Sequence, residues 1–314
     1  MGRPEIFAAC VVMMSLQPLL INLAGSKDEQ PLPPDAFILV VESLKVLLCT
    51  SAIACRRVAG VQDTLWCGLR HTTHFAVPAT IYLVMNVLKV VSARALAPPL
   101  FQLLAATKIL ATAVASWLLL AKQITSMQWA ALVLLTAGVS LGQHRDTTSK
   151  ADSGGVPGTG AALIPVLIML INSGLSAVAA VYTEKVLKAQ QSSALSIFAT
   201  NLHMALHTLL VNGVKLCVWE APPWTSPLSL GWRTWVALGN EAVNGILVST
   251  LMRHADSIVK NYAFSTSIFA TAIISAPVLN YWPQPSFFAG AALVLASMGM
   301  YTNGGPSKDA RKRA

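Results

Sequence analysis

Two stretches of the sequence decide the fold class: residues 105–116 read AATKILATAVAS, and residues 264–275 read FSTSIFATAIIS. Each is apolar or small over about three helical turns. The segments that follow match again, because residues 130–134 and 291–295 both read AALVL. Two successive segments that match in the same order, at nearly one offset, predict an internal repeat of helices.

The composition around these stretches is that of a membrane protein. Of the 314 residues, 54% are hydrophobic and 11% are charged, and the mean hydropathy is +0.60, whereas soluble domains carry about 25% charged residues. The net charge of +9 falls between apolar runs, which indicates membrane topology and argues against a nucleic-acid partner. The five cysteines are scattered, without metal-ligand spacing, so we expect no metal, no other cofactor and no disulfide framework.

Segments long enough to cross a bilayer need about 20 apolar residues. The predicted spans are 5–24, 36–55, 75–93, 98–121, 127–143, 159–183, 193–217, 232–252, 259–280 and 284–303. Five spans in each half is an odd number, so the second copy of the repeat would lie inverted in the membrane. The sequence therefore predicts an all-α membrane protein of ten transmembrane helices in two inverted five-helix repeats. The predicted divisions are a first repeat (1–143), a linker loop (144–158), a second repeat (159–303) and a basic tail (304–314).

The positions of lysine and arginine predict the orientation. With both termini in the cytosol, twelve of the 22 lysines and arginines lie on the cytosolic side and six on the opposite side. The other four lie within or at the edge of spans. An excess of basic residues marks cytosolic loops, so we expect a multi-pass protein with both termini in the cytosol.

Two lysines fall in the repeat-related fourth and ninth spans. Lys108 is near the middle of the fourth span, and Lys260 is at the start of the ninth. A charge at the bilayer centre costs roughly 2.5–3.5 kcal/mol on insertion scales. Lys108 could pair with Glu241 on another helix, and Lys260 could extend to the membrane surface as an anchor. The alternative is that both lysines face one cavity and bind an anionic substrate.

Other polar positions in the spans have structural explanations. Glu42 and Lys45 share a helix face and predict a local ion pair. His203 and His207 have metal-ligand spacing, but no third ligand is evident. Polar residues elsewhere in the spans bridge helices more often than they bind substrate. From the residues alone, the prediction is a ten-helix transporter of an anionic solute.

Six short strings are informative together: ESLK at 42–45, FQ at 101–102, TKIL at 107–110, QW at 128–129, AVYTEK at 180–185 and ADSIVK at 255–260. They resemble the nucleotide-sugar transporters of the drug/metabolite transporter superfamily, in the branch that carries CMP-sialic acid, UDP-galactose and UDP-N-acetylglucosamine. Their order and spacing extend the resemblance over nearly the whole chain.

The resemblance implies the drug/metabolite transporter fold, no enzymatic activity, and the Golgi membrane, or the ER membrane, as the location. It implies exchange of a cytosolic nucleotide sugar for a lumenal nucleoside monophosphate, with a homodimer as a candidate assembly. Lys108 and Lys260 match the family's phosphate-binding lysines. The positions that match the nucleotide and sugar pocket are Tyr82, Asn86, Phe101, Gln102, Tyr182, Asn201 and Ser249.

The chain departs from the sialic-acid pattern, because Phe101, Ala105 and Ala205 stand where tyrosines are usual. Residues 262–268 look closer to the UDP-galactose and UDP-N-acetylglucosamine transporters. We therefore expect a UDP-sugar of the galactose or N-acetylhexosamine type. The alternatives are a CMP-sugar and, in a different class, a drug, metabolite or amino-acid exporter that would use Glu241. A membrane glycosyltransferase is disfavoured, because the predicted loops are short and poor in paired carboxylates.

Overall fold

The computed structural model describes residues 4–24, 34–60, 69–95, 104–142, 163–189, 196–218, 230–279 and 284–304. These residues form ten helices. They are α1 (Pro4–Ala24), α2 (Pro34–Val58), α3 (Leu69–Ala95), α4 (Lys108–Leu120), α5 (Ser126–Gly142), α6 (Leu163–Ala189), α7 (Ile197–Val218), α8 (Trp232–His254), α9 (Ser257–Leu279) and α10 (Pro285–Asn303). The predicted all-α class is confirmed over the described residues. The predicted linker 144–158 lies outside them, as does the tail from residue 305 onward.

Four helical segments are long and apolar enough to cross a membrane. They are Pro4–Ile21, Ala36–Val58, Leu163–Ala189 and Pro285–Asn303. Shorter apolar helices occur at His74–Met85, Leu104–Leu120 and Ser126–Gly142. Their length and apolar composition are typical of a membrane protein. A helix can cross a bilayer because its backbone hydrogen bonds are satisfied within the helix.

The chain divides into two compact units, each built from both predicted halves. The first unit comprises Met1–Leu83 and Thr183–Thr271, and the second comprises Val84–Tyr182 and Ala272–Ala314. Helix α6 therefore passes from the second unit into the first near Tyr182. A repeat boundary concerns sequence similarity rather than compactness, so the division at 144–158 stays a prediction.

In the first unit, α8 packs against α1, α2 and α7, and α2 also packs against α7. Cys10 of α1, Leu251 of α8 and Val259 of α9 belong to one buried apolar cluster. Polar side chains also join helices, since Asn240 Nδ2 donates a hydrogen bond to the carbonyl oxygen of Met13 at 3.2 Å. Such bonds satisfy backbone and amide groups that lipid could not.

In the second unit, α5 and α10 cross at glycines. A Cβ atom at Gly290 would lie 2.6 Å from the carbonyl oxygen of Gly138 and 2.6 Å from the amide nitrogen of Gly142. Glycine is needed here because the two backbones are in contact. Ser297 Oγ reinforces the crossing with a 2.6 Å hydrogen bond to the carbonyl oxygen of Ala131.

The small residues of the fourth and sixth spans also permit close packing. Ala115 of α4 is buried against Ala177 and Val181 of α6. Thr125, just before α5, is joined to Gly304, just after α10. Its Oγ1 donates a 2.6 Å hydrogen bond to the carbonyl oxygen of Gly304.

We expect Gly290→Ala to destabilise the protein by about 1–3 kcal/mol, because the added methyl group would overlap backbone atoms that cannot move aside. Thermal unfolding of the detergent-solubilised protein would measure the loss. Gly299→Ala on the same helix is the matched control, since a Cβ there meets nothing within 4 Å. Equal stability of the two variants would contradict this crossing.

Candidate functional site

Lys260 lies in the first turn of α9, in the first unit. Asp256 caps this helix, because its Oδ1 accepts a 2.8 Å hydrogen bond from the amide of Val259. The Lys260 side chain is half-buried, and no ion pair of the described residues includes it. A cation in the first turn is also repelled by the positive end of its own helix. Lys260 thus lies where a bound anion would be stabilised.

Glu184, at the end of α6, fixes the start of α9. Its Oε2 accepts a 2.7 Å hydrogen bond from the amide of Ser257, and its Oε1 pairs with Lys188. Glu184 is buried with 1% of its surface exposed. A carboxylate is favourable at this helix end, because it accepts from an amide that has no partner within the helix. Glu184 therefore holds the turn that carries Lys260, three residues after Ser257.

Lys108 follows an irregular turn of a helix, in the second unit. Residues 104–106 are helical, Thr107 forms a turn, and α4 begins at Lys108. In a continuous helix the carbonyl oxygen of Leu104 would accept from the amide of Lys108. It accepts instead from Thr107 N at 3.2 Å and Thr107 Oγ1 at 2.6 Å, and from Ser173 Oγ of α6 at 3.1 Å.

Thr107 keeps helical backbone angles at this turn (φ −61°, ψ −20°), and the apolar helix runs over Leu104–Leu120. Residues 98–103 of the predicted fourth span lie outside the described residues, so the position of Lys108 near the middle of that span stays a prediction. The Lys108 side chain is half-buried.

The remaining predicted pocket residues are distributed over both units. In the first unit, Asn201 and Ser249 are buried and donate to carbonyl oxygens of their own helices, Ile197 at 2.9 Å and Gly245 at 2.9 Å respectively. Tyr82, in the same unit, is 36% exposed.

Tyr182 is half-buried and lies in the second unit. Asn86 belongs to α3 in that unit, and its side chain lies outside the description. Phe101 and Gln102 lie outside the described residues.

Other charged residues, and the histidines with metal-ligand spacing, have neighbours within the same unit. The predicted pair of Glu42 and Lys45 is confirmed at 2.8 Å. Lys45 and Glu42 also act electrostatically on Glu241, which the sequence had offered as a partner of Lys108. His203 stacks on Phe75 with ring centroids 5.8 Å apart. Among the described residues, no three His, Cys, Asp or Glu side chains form a group that could hold a metal ion.

Sequence reasoning missed the role of Glu184 and the close approach of Lys45 to Gly245. A Cβ at Gly245 would lie 2.5 Å from Cε of Lys45, so the glycine makes room for the lysine. The signal available in the sequence was only the i,i+4 spacing of Glu184 and Lys188, which predicts a local ion pair. Identifying the second partner of Glu184, the amide of Ser257, required the packing between helices.

The sequence of these helices matches one family. A sequence model described as "Nucleotide-sugar transporter" matches residues 6–302. The chain belongs to the nucleotide-sugar transporter family.

The relatives it resembles bear the names of transporters for several nucleotide sugars. The UDP-galactose translocator of Mus musculus is 30% identical over 96% of this chain and 78% of its own length. CMP-sialic acid transporter 2 of Oryza sativa subsp. indica is 28% identical over 85% of this chain and 74% of its own length. The UDP-N-acetylglucosamine transporter of Rattus norvegicus is 28% identical over 84% of this chain and 83% of its own length.

A solved crystal structure has the same fold. It covers 95% of this chain and 95% of its own chain with a TM-score of 0.70, at 13% sequence identity. With the apolar helices, family membership identifies a transmembrane nucleotide-sugar transporter.

We expect Glu184→Ala to lower the free energy of unfolding by about 1–3 kcal/mol, because the amide of Ser257 loses a buried acceptor. Glu184→Gln should lose less, since an amide oxygen can still accept that hydrogen bond. Thermal unfolding in detergent measures both. The control is Lys185→Ala, an exposed neighbour on the same helix. Glu184→Ala as stable as Lys185→Ala would contradict the anchoring role.

Proposed function

We propose that this protein is a nucleotide-sugar antiporter of the Golgi membrane, or of the ER membrane. It moves a UDP-sugar of the galactose or N-acetylhexosamine type from the cytosol to the lumen in exchange for the nucleoside monophosphate. The observation that carries the proposal is the half-buried Lys260, which has no acidic partner in the described ion pairs, in a chain of this family.

Lys260 and Lys108 are proposed to bind the phosphates. Lys260 is in the first turn of α9, where a bound anion is stabilised by the lysine ammonium and by the helix dipole together. Lysine binds phosphate as a compact point charge, so it can hold the diphosphate of a nucleotide sugar and the phosphate of a monophosphate alike.

Exchange is favoured over one-way transport for the same electrostatic reason. Without a phosphate, the binding site would return to the cytosolic side with the ammonium of Lys260 at the repelling end of its helix. A nucleoside monophosphate removes that cost on the return step. We propose that the ten helices act as two inverted five-helix repeats that alternate access to the lysines, with both termini in the cytosol.

The base and sugar are proposed from the relatives and from the departures in sequence. The UDP-galactose translocator of Mus musculus is 30% identical over nearly the whole chain. Ala205, which stands where the sialic-acid pattern has a tyrosine, is buried with 1% of its surface exposed. The remaining pocket positions are Tyr82, Asn86, Phe101, Gln102, Tyr182, Asn201 and Ser249.

We expect Lys108→Ala and Lys260→Ala each to reduce nucleotide exchange in reconstituted liposomes by roughly 30-fold or more, because each removes a charge-assisted phosphate contact. Uptake of labelled UDP-galactose into UMP-loaded liposomes measures the loss. Lys185→Ala, which removes an exposed lysine, should exchange at the wild-type rate.

Thermal unfolding of each variant separates loss of binding from loss of folding. Exchange at the wild-type rate in a folded Lys108 or Lys260 variant would contradict the role of that lysine. If the lysine variants lose exchange while folded, the phosphate assignment is supported whichever sugar is carried.

A further inference from the structure

The seam between α2 and α8 places two carboxylates and one lysine together in the first unit. Val41 of α2 packs on Leu238 and Ala242 of α8 in a buried apolar cluster. One helical turn further along both helices, the Lys45 side chain crosses the backbone of Gly245. The close approach at Gly245 brings the Lys45 ammonium onto the face of α8 that also carries Glu241.

Lys45 pairs with Glu42 and acts electrostatically on Glu241. Its Nζ lies 2.8 Å from Oε1 of Glu42, and the two side chains are only 18% and 13% exposed. Both groups act electrostatically on Glu241, whose carboxyl group also hydrogen-bonds the side chain of Asn244. With every group ionised, this cluster would carry two negative charges and one positive charge.

Two buried acceptor atoms in the cluster have no hydrogen-bond partner: Oε2 of Glu241 and Oδ1 of Asn244. A buried carboxylate oxygen that accepts nothing is costly, and an uncompensated charge in a membrane helix is more so. The missing element is one positive charge or one hydrogen-bond donor.

The other elements packed on α8 do not compensate Glu241. Helix α1 carries the acidic Glu5 in its first turn. Helix α7 carries His203 and His207, whose rings pack on Phe75 of α3, and Lys215 in its last turn. Helix α9 contacts α8 through the cluster at Leu251, near the opposite end of α8, and carries Asp256 and Lys260 at its start.

The charged residues of α8 itself are Arg233, beside the ring of Trp232, and Arg253 and His254 in its last turn. Both positions are two or more helical turns from Glu241. Among the cations of the described residues, Lys45 is the one that acts on Glu241, and it is already paired with Glu42.

We propose that the Glu42–Lys45–Glu241 cluster is a proton-binding site that holds one proton on the carboxyl group of Glu241. A metal cation is disfavoured, because the Lys45 ammonium already lies at the carboxylates and would repel it. A proton adds to the carboxylate oxygen itself and needs no further space. Release breaks the O–H bond and passes the proton to water, while Lys45 remains positive.

This proposal is independent of which substrate the protein carries, so its test uses stability rather than transport. The folded protein would hold a proton that the unfolded chain gives up near neutral pH. Folding stability must then fall as pH rises, with the folding equilibrium constant dropping by up to about tenfold per pH unit for one proton. Thermal unfolding of the detergent-solubilised full chain from about pH 6 to about pH 9, between ordinary carboxyl and lysine titration, measures this slope.

Three variants isolate the contribution of this proton to the pH dependence of stability. Glu241→Gln is permanently neutral, so its slope should be smaller than that of the wild type by one proton. Glu42→Gln should also lose that proton, because Lys45 is then free to pair with an ionised Glu241. Glu5→Gln, the same change at an exposed site on α1, should keep the wild-type slope.

A wild-type slope in both Glu241→Gln and Glu42→Gln would overturn the proposal. So would a wild-type slope that disappears when sodium is replaced by choline, because that result would identify a metal cation as the ligand. If Glu241→Gln does not fold, Glu241→Met and Glu42→Gln provide the same comparison. Failure of the nucleotide-exchange proposal leaves this result unaffected, since no nucleotide is present.

Discussion

An ionised side chain inside the hydrocarbon layer must be compensated, and this constraint organises the described structure. Glu184 is compensated by the amide of Ser257 and by Lys188. Lys45 is compensated by Glu42. Lys260 is half-buried and has no such acidic partner in the described ion pairs. Because a half-buried charge without a partner is costly, we propose that Lys260 binds a ligand of opposite sign.

The proposed phosphate site of the first unit lies at the start of a helix. Lys260 occupies the first turn of α9, and a lysine there is at the unfavourable end of the helix dipole. The same dipole becomes favourable once a phosphate is bound, because it attracts the anion. The hydrogen bond from the amide of Ser257 to Glu184 holds this helix start in place.

The sequence predicted the helices well and the irregular turn before Lys108 poorly. Nine of the ten predicted spans agree with the observed helices to within six residues, because long apolar runs favour helices. The irregular turn before Lys108 was missed, since it depends on the Thr107 hydroxyl and on Ser173, 69 residues away from Leu104. The anchor at Glu184 was missed for the same reason, as its partner lies 73 residues away. Lys108 and Lys260 stand out in the sequence as charges in or at apolar spans, and their role in binding phosphate stays a prediction.

The central claim is that this protein exchanges a nucleotide sugar for a nucleoside monophosphate. The most direct test measures uptake of labelled UDP- and CMP-sugars into liposomes that contain the purified protein. The liposomes are either empty or preloaded with UMP or CMP. The account predicts that UDP-galactose or a UDP-N-acetylhexosamine enters UMP-loaded liposomes much faster than empty ones, because the counter-substrate phosphate compensates the lysines on the return step. Faster uptake of a CMP-sugar into CMP-loaded liposomes would contradict the proposed base. No nucleotide-dependent uptake by folded protein would contradict antiport itself.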